Sequence, residues 1–114
     1  MNESLRSHER LRKRKDFLHI YRNGKRFRGK YFTLIYLSNR QHSSRMAVVA
    51  SKKIGDATVR NRVKRRLRAL YRKNKGLLQE SFDLVFITKK DIVDASWIEI
   101  QTDYIKALRS LRLS

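Results

Sequence analysis

The chain has 114 residues, with 29 Lys and Arg against 10 Asp and Glu, a formal net charge of +19 and no cysteine. This length predicts one domain over residues 1–114, and the lack of cysteine excludes a disulfide framework and a thiolate metal site. No apolar run approaches a membrane span or a signal-peptide core, so we expect a cytoplasmic protein that does not bind membranes.

The positive charge is concentrated in the first two thirds of the chain. Residues 1–75 hold 24 basic and 4 acidic side chains, a net of +20, whereas residues 76–114 hold 5 basic and 6 acidic ones, a net of −1. So many like charges repel one another unless a polyanion offsets them. The distribution therefore favours a nucleic-acid partner, bound with a steep dependence on salt.

The chain begins with a basic lead and a short helix. Residues 1–12 show no apolar period and are expected to be flexible. A helix is predicted over Lys13–Asn23, with Gly24 as its C-terminal stop. Its apolar side carries Phe17, Ile20 and Tyr21.

Three runs of apolar and β-branched residues predict strands at Lys30–Leu37, Met46–Ser51 and Phe82–Thr88. Side chains alternate between the two faces of a strand. In the first strand, one face is expected to hold Phe32, Leu34 and Tyr36. The other face is expected to hold Tyr31, Thr33, Ile35 and Leu37.

A strongly basic helix is predicted between the second and third strands, with Asp56 or Thr58 as its N-cap. At helical spacing, its core side carries Val59, Val63, Leu67, Leu70 and Tyr71. The opposite side carries Asn61, Lys64, Arg65, Arg68 and Arg72. Because Lys52 to Lys75 contain 11 basic residues and one acid, nucleic-acid contact is favoured over a solvated charged surface.

A last helix is predicted after the third strand. A capping box formed by Ser96 and Glu99 opens it, and it ends near Leu111. Its buried stripe is predicted to comprise Trp97, Ile100, Tyr104, Leu108 and Leu111. Strand, helix and strand in succession predict that the second and third strands are parallel, within a two-layer α/β sandwich.

No enzyme active site is evident in the sequence. The three histidines, His8, His19 and His42, have no metal-like or triad-like spacing. Four glycines form no phosphate-binding loop. We therefore expect no catalytic residue, no metal ligand and no small-molecule substrate.

Phe17 and Tyr21 lie one helical turn apart, and Thr33 and Ile35 share one face of a strand. Aromatic rings beside basic groups suit single-stranded nucleotides, because bases stack on rings while Lys and Arg hold phosphates. The same spacing is more often that of core residues between a helix and a sheet. The pattern leaves both interpretations open.

The segment Lys52–Gly55 (KKIG), followed by Arg60–Arg65 (RNRVKR), resembles the signature of the protein subunit of bacterial ribonuclease P. Lys15, Asp16 and Phe17, then Tyr21 and Gly24, and the order of strands and helices agree with this family along nearly the whole chain. The resemblance implies three helices and about four strands in a mixed sheet, in the order αβββαβα. It also implies a fold similar to the second domain of a small-subunit ribosomal protein, with a left-handed βαβ crossover.

The resemblance further implies a subunit that binds a catalytic RNA, which removes the 5′ leader from precursor tRNA with Mg2+ held mainly by the RNA. The RNA-binding residues would be Lys52, Lys53, Arg60, Asn61, Arg62, Lys64, Arg65, Arg68 and Arg72. The cleft for the leader would comprise Phe17, Tyr21, Thr33 and Ile35. A structural protein of another ribonucleoprotein, such as the ribosome, is the alternative; a DNA-binding protein is disfavoured because no helix-turn-helix is evident.

Overall fold

A computed structural model describes residues 7–111, and residues 1–6 and 112–114 lie outside it. Three helices and four strands follow one another in the order αβββαβα over this range. The helices are α1 (Arg14–Asn23), α2 (Ala57–Asn74) and α3 (Trp97–Ser110). The strands are β1 (Lys25–Arg28), β2 (Phe32–Ser38), β3 (Arg45–Val49) and β4 (Phe82–Thr88).

The strands form one mixed sheet in the order β1-β2-β4-β3. β2 is antiparallel to β1 and β4, whereas β3 is parallel to β4. Since α2 connects β3 to β4, the predicted parallel pair is confirmed, and so is the α/β fold class. The handedness of this crossover stays a prediction.

Strand β1 was not predicted from the residue pattern. Its sequence, KRFR, contains one apolar residue among three basic ones and shows no apolar alternation. It lies at the edge of the sheet, where one side of a strand stays open to solvent and charged residues are common. Pairing with β2, rather than its own composition, makes it a strand.

The main core lies between the sheet and the pair α2 and α3. Phe32, Leu34 and Tyr36 of β2 point into it, as the alternation predicts. Phe86 stacks on Tyr104 of α3 with ring centroids 4.9 Å apart. Ile35 points to the opposite face, where α1 covers part of the sheet and forms a second, smaller core with Leu11, Ile20 and Val85.

The end of the basic lead packs against the free edge of β3. Leu11 is buried and its backbone N–H donates to the carbonyl oxygen of Met46 at 3.1 Å. The Glu9 carboxylate lies 2.9 Å from the Lys75 ammonium. Flexibility over residues 1–12 stays a prediction, and residues 1–6 lie outside the described range, but residues 9–11 have defined partners.

The two long helices begin where the sequence predicts. Asp56 caps α2 by accepting a hydrogen bond of 3.0 Å from the N–H of Val59. Gly55 before it has a φ of +156°, and a Cβ there would lie 3.0 Å from the Val59 side chain, so glycine is required. The capping box of α3 is present, with Ser96 and Glu99 bonded reciprocally.

Trp97 is a correction to the predicted buried stripe of α3. Its side chain is 38% exposed, whereas the other four predicted members are buried. As the first residue of α3, Trp97 lies at the margin of the core and beside the arginines of α2 instead of beneath the sheet. Helical periodicity shows which side of a helix faces the core. It does not show at which residue the helix extends beyond the core.

Candidate nucleic-acid interface

The side of α2 turned away from the sheet is basic along its whole length. Four residues at spacings of four, three and four form this surface, called here the basic face: Asn61, Arg65, Arg68 and Arg72. Arg68 is half-buried and the other three are exposed. The lone acid of the segment, Asp56, directs its carboxylate to the helix N-terminus, so no acid within α2 interrupts the basic face.

The other predicted RNA-binding residues lie around the basic face. Lys52 and Lys53 are exposed in the turn before α2, and Arg62 is exposed on the flank nearest α3. Arg60 and Lys64 are half-buried on the other flank. All nine predicted residues therefore lie on α2 or in the turn before it, but they cover three sides of the helix rather than a single plane.

A tenth residue, the basic Arg10, joins this surface and was not predicted from the sequence. Arg10 forms a parallel β-bridge with Met46 at the free edge of β3. This pairing directs the Arg10 side chain toward α2. Burial lowers the pKa of Arg68, and the positive charge of Arg10 lowers it further. Within residues 7–111, the buried Arg10 Nε has no hydrogen-bond partner. An anion bound between Arg10 and Arg68 would offset the repulsion between their positive charges and would accept a hydrogen bond from the buried Arg10 Nε.

An open cavity of about 280 Å³ lies between α2 and the start of α3. It is called here the Trp97 cavity, and it is lined by Arg62, Arg65, Arg66, Ala69 and Trp97. Neither Arg66 nor Trp97 was predicted from the sequence as part of a site. A helical projection places Arg62, Arg66 and Ala69 on one flank of α2, but only the structure shows that α3 begins beside that flank.

On the other face of the sheet, α1 and three strands leave half-buried, mostly apolar side chains at the surface. The pairing registers align Thr33 with Ile87 and Ile87 with Val49. The surface called here the sheet cleft comprises the half-buried side chains Phe17, Tyr21, Thr33, Ala47, Val49 and Ile87. The Phe17 and Tyr21 rings lie 6.2 Å apart, tilted by 58°.

Three of the four residues predicted for the leader cleft offer surface there, and Ile35 does not. Ile35 is only 2% exposed and lies beneath the C-terminal end of α1. A Cβ on Gly24 would lie 2.9 Å from its Cγ2, which shows how closely the helix end approaches. Ile35 therefore supports the sheet cleft from below, while the side chains of Ala47, Val49 and Ile87, which the sequence analysis missed, complete its surface.

An ion-pair network fixes α1 to the sheet beside this cleft. The Arg45 guanidinium donates from Nε and Nη2 to the two oxygens of Asp83, at 2.9 and 2.7 Å. Its Nη1 lies 3.5 Å from the Asp16 carboxylate in the first turn of α1. The bonds to Asp83 raise the pKa of Arg45, so the guanidinium stays charged. Asp16 precedes Phe17, so the network also sets the position of the cleft's first ring.

Comparison with known proteins matches the chain to one family. A family model described as Ribonuclease P matches residues 5–112, nearly the whole chain. The chain belongs to the ribonuclease P protein family. The ribonuclease P protein component of Thermotoga maritima is 41% identical over 92 residues, which cover 81% of this chain and 79% of the relative. That of Alkaliphilus metalliredigens is 30% identical over 96% of this chain and 98% of the relative.

Solved structures of ribonuclease P proteins share the fold. The structure from Thermotoga maritima superposes with a TM-score of 0.82 at 34% identity, covering 90% of this chain and 96% of that one. The structure from Staphylococcus aureus gives a TM-score of 0.81 at 26% identity, covering 90% and 94%. The predicted family resemblance is thus confirmed, and the chain is a protein component of an endoribonuclease.

Membership of the ribonuclease P family favours an RNA-enzyme subunit over a structural protein of another ribonucleoprotein. Among residues 7–111, no helix is long and apolar enough to cross a membrane. Over the same range, no group of three or more His, Asp or Glu side chains is arranged to hold a metal ion. What the described residues offer is a basic helix on one side of the sheet and an apolar cleft on the other.

Proposed function

We propose that the protein binds the catalytic RNA of ribonuclease P through the basic face of α2 and its flanks. In this proposal the sheet cleft receives the 5′ leader of precursor tRNA, and the RNA subunit hydrolyses the phosphodiester bond that joins leader and tRNA. The protein contributes binding and positioning, not a catalytic side chain. The proposed location is the cytoplasm.

The observation that carries this proposal is the separation of the two surfaces by the sheet. α2 packs on one face through Val63, Leu67 and Leu70, while Phe17 and Tyr21 lie over the other. A large RNA bound to α2 would therefore leave the sheet cleft open to a second RNA, the single-stranded leader. One small domain can in this way hold the catalytic RNA and its substrate together, which lowers the entropic cost of their meeting.

The chemistry of the sheet cleft suits a single-stranded leader. Its rings and aliphatic side chains offer stacking surface that tolerates any base. Arg28 is paired with Thr33, and Arg26 with Ile35, and side chains of directly paired residues share a face. Both arginines are exposed at the cleft's edge, where they can hold the phosphates of a strand whose bases lie on Thr33 and Val49.

The proposal assigns Mg2+ mainly to the RNA subunit. The carboxylates beside the sheet cleft, Asp16 and Asp83, both contact Arg45. They do not fit a divalent cation, because the positively charged guanidinium lies against both of them. No step of the reaction is therefore derived from a metal ion on this chain.

Reconstitution tests the proposal. Purified protein is added to a bacterial ribonuclease P RNA at low Mg2+, and cleavage of precursor tRNA is measured. We expect stimulation with the RNA and no cleavage by the protein alone. A structural protein of another ribonucleoprotein would give no stimulation at any salt concentration, and cleavage without the RNA would place catalytic groups on the protein. Either result would refute the proposal.

A further inference from the structure

Trp97 is the only tryptophan of the chain and lies at the surface. Within the described range, the exposed large apolar side chains are Leu18, Trp97 and Ile98, with exposed fractions of 41%, 38% and 73%. Exposing an indole forfeits the stabilisation that its burial would give. Position 97 follows the N-cap Ser96, and capping requires nothing aromatic there.

The surroundings of Trp97 are polar and positively charged on the side of α2. Three guanidinium groups, from Arg62, Arg65 and Arg66, share the Trp97 cavity with the indole, and Ala69 leaves room beside it. The described part of the chain shows no acidic partner for these three arginines. An aromatic face bordered by unpaired guanidinium groups has the two contacts that a nucleotide needs: a surface for the base and donors for the phosphate.

We propose that Trp97 is a stacking platform for one unpaired base of the catalytic RNA, whose phosphate is held by Arg62, Arg65 or Arg66. The RNA interface then extends from the basic face of α2 across its flank to the first turn of α3. This inference rests on the proposed function for the identity of the RNA. It adds a contact to the base, whereas the basic face supplies contacts to the backbone.

A membrane surface is the other partner that a tryptophan beside arginines could fit. Interfacial helices carry a continuous apolar face along their length. The apolar side of α2 is buried in the core, and the exposed apolar surface of α3 near the cavity consists of Trp97 and Ile98 at its first turn. The observations therefore favour a single base, and vesicle binding becomes an outcome of the test.

Intrinsic fluorescence reports directly on this site because the chain has one tryptophan. The full-length protein is titrated with ribonuclease P RNA, with a single-stranded oligoribonucleotide, and with inorganic polyphosphate of matched charge. We expect both RNAs to quench the emission through contact with a base and polyphosphate to leave it nearly unchanged. Equal quenching by polyphosphate, or no quenching by saturating RNA, would overturn the inference.

Substitutions separate stacking from charge. Trp97→Ala should weaken binding to ribonuclease P RNA by about tenfold, while Trp97→Phe keeps most of the affinity because a ring remains. The neighbouring Ile98→Ala, which removes a more exposed side chain outside the cavity, should have no effect. Since stacking releases no counterions, Trp97→Ala should leave the salt slope unchanged, whereas Arg66→Ala should reduce it.

The outcomes distinguish this inference from the proposed function. If the protein stimulates cleavage while RNA does not quench its fluorescence and Trp97→Ala does not alter RNA binding, the stacking platform is refuted. The proposed function is not. Absence of stimulation with any ribonuclease P RNA refutes the function itself. A shift of the emission by phosphatidylserine vesicles, without quenching by RNA, would assign the site to membranes and refute the inference. If Trp97→Ala fails to fold, the fluorescence titration of the unaltered protein and the RNA affinity of Trp97→Phe still test the inference.

Discussion

The Asp16 carboxylate lies 3.5 Å from the Arg45 guanidinium, joining the first turn of α1 to β3 across the edge of the sheet. Arg45 is held in turn by two hydrogen bonds to Asp83 on β4. Asn39 donates a further bond of 2.9 Å to Asp83. This network joins the helix that carries Phe17 and Tyr21 to the sheet, so a contact outside the sheet cleft helps to position its two rings.

Removing the guanidinium should destabilise the fold strongly. Arg45→Ala leaves Asp83, whose side chain is 6% exposed, as a buried carboxylate that keeps the Asn39 hydrogen bond but has lost its ion-pair partner, and we expect the free energy of unfolding to fall by about 3 kcal/mol. Urea denaturation followed by circular dichroism measures it. Asp16→Asn, which alters a longer and more exposed contact, should cost at most about 1 kcal/mol. Equal losses for the two variants would contradict the network described here.

Asp56 should have opposite effects on stability and RNA affinity. Asp56→Ala removes the N-cap of α2, which lowers the free energy of unfolding by about 1 kcal/mol, and it also removes the one acid of residues 52–75. RNA affinity of the folded protein should therefore rise. Asp56→Asn keeps the cap and removes the charge, so it should bind RNA as tightly without the loss in stability. A fall in affinity for Asp56→Asn would be incompatible with an RNA contact at this helix end.

The salt dependence of binding tests the basic face. Arg65→Ala and Arg68→Ala should each lower affinity for ribonuclease P RNA and reduce the logarithmic salt slope by about one unit per lost phosphate contact. Lys106→Ala removes an exposed charge on α3, outside the proposed interface, and serves as the matched control. If the three variants changed the slope equally, the positive charge would act as a diffuse field rather than through the basic face.

Stability should fall at alkaline pH as buried tyrosines lose their protons. Burial, with a smaller effect of Glu9, raises the pKa of Tyr71 to about 12, and burial raises that of Tyr104 well above 10. Because the unfolded chain gives up these protons near pH 10 and the folded chain does not, the stabilisation is complete below pH 10 and is lost as pH rises toward 12. Urea denaturation across this range measures the loss, which Tyr71→Phe should reduce. An identical loss in Tyr71→Phe would exclude Tyr71 as a source.

The helices and buried strands were predictable from sequence because each carries its own periodic signal. Val63, Leu67 and Leu70 at helical spacing, and the run over Phe82–Thr88, place their elements almost without reference to the rest of the chain. β1 carries no such signal, since KRFR becomes a strand only by pairing with β2.

The residues of the candidate site likewise differ in whether they could be predicted from the sequence. The basic face lies within one helix, and its residues are fixed by the spacing of that helix alone. The sheet cleft depends on cross-strand register, which brings Val49 beside Ile87 and buries Ile35 beneath Gly24. The Trp97 cavity depends on where two helices meet. A local sequence pattern specifies neither the register between strands nor the place where two helices meet. The residues of the sheet cleft and of the Trp97 cavity that depend on them were therefore missed or misplaced.

We propose that the two faces of the sheet have separate tasks, and a paired binding measurement tests this proposal most directly. Affinities of the reconstituted enzyme for precursor tRNA and mature tRNA are compared for Phe17→Leu and Arg65→Ala, with Ile35→Val as a control for the buried support. Phe17→Leu removes a stacking ring but keeps apolar bulk, so it should weaken precursor binding alone. Arg65→Ala should weaken assembly with the RNA and leave the preference for precursor over mature tRNA intact. Loss of that preference in Arg65→Ala, or equal weakening of both tRNAs by Phe17→Leu, would contradict the account.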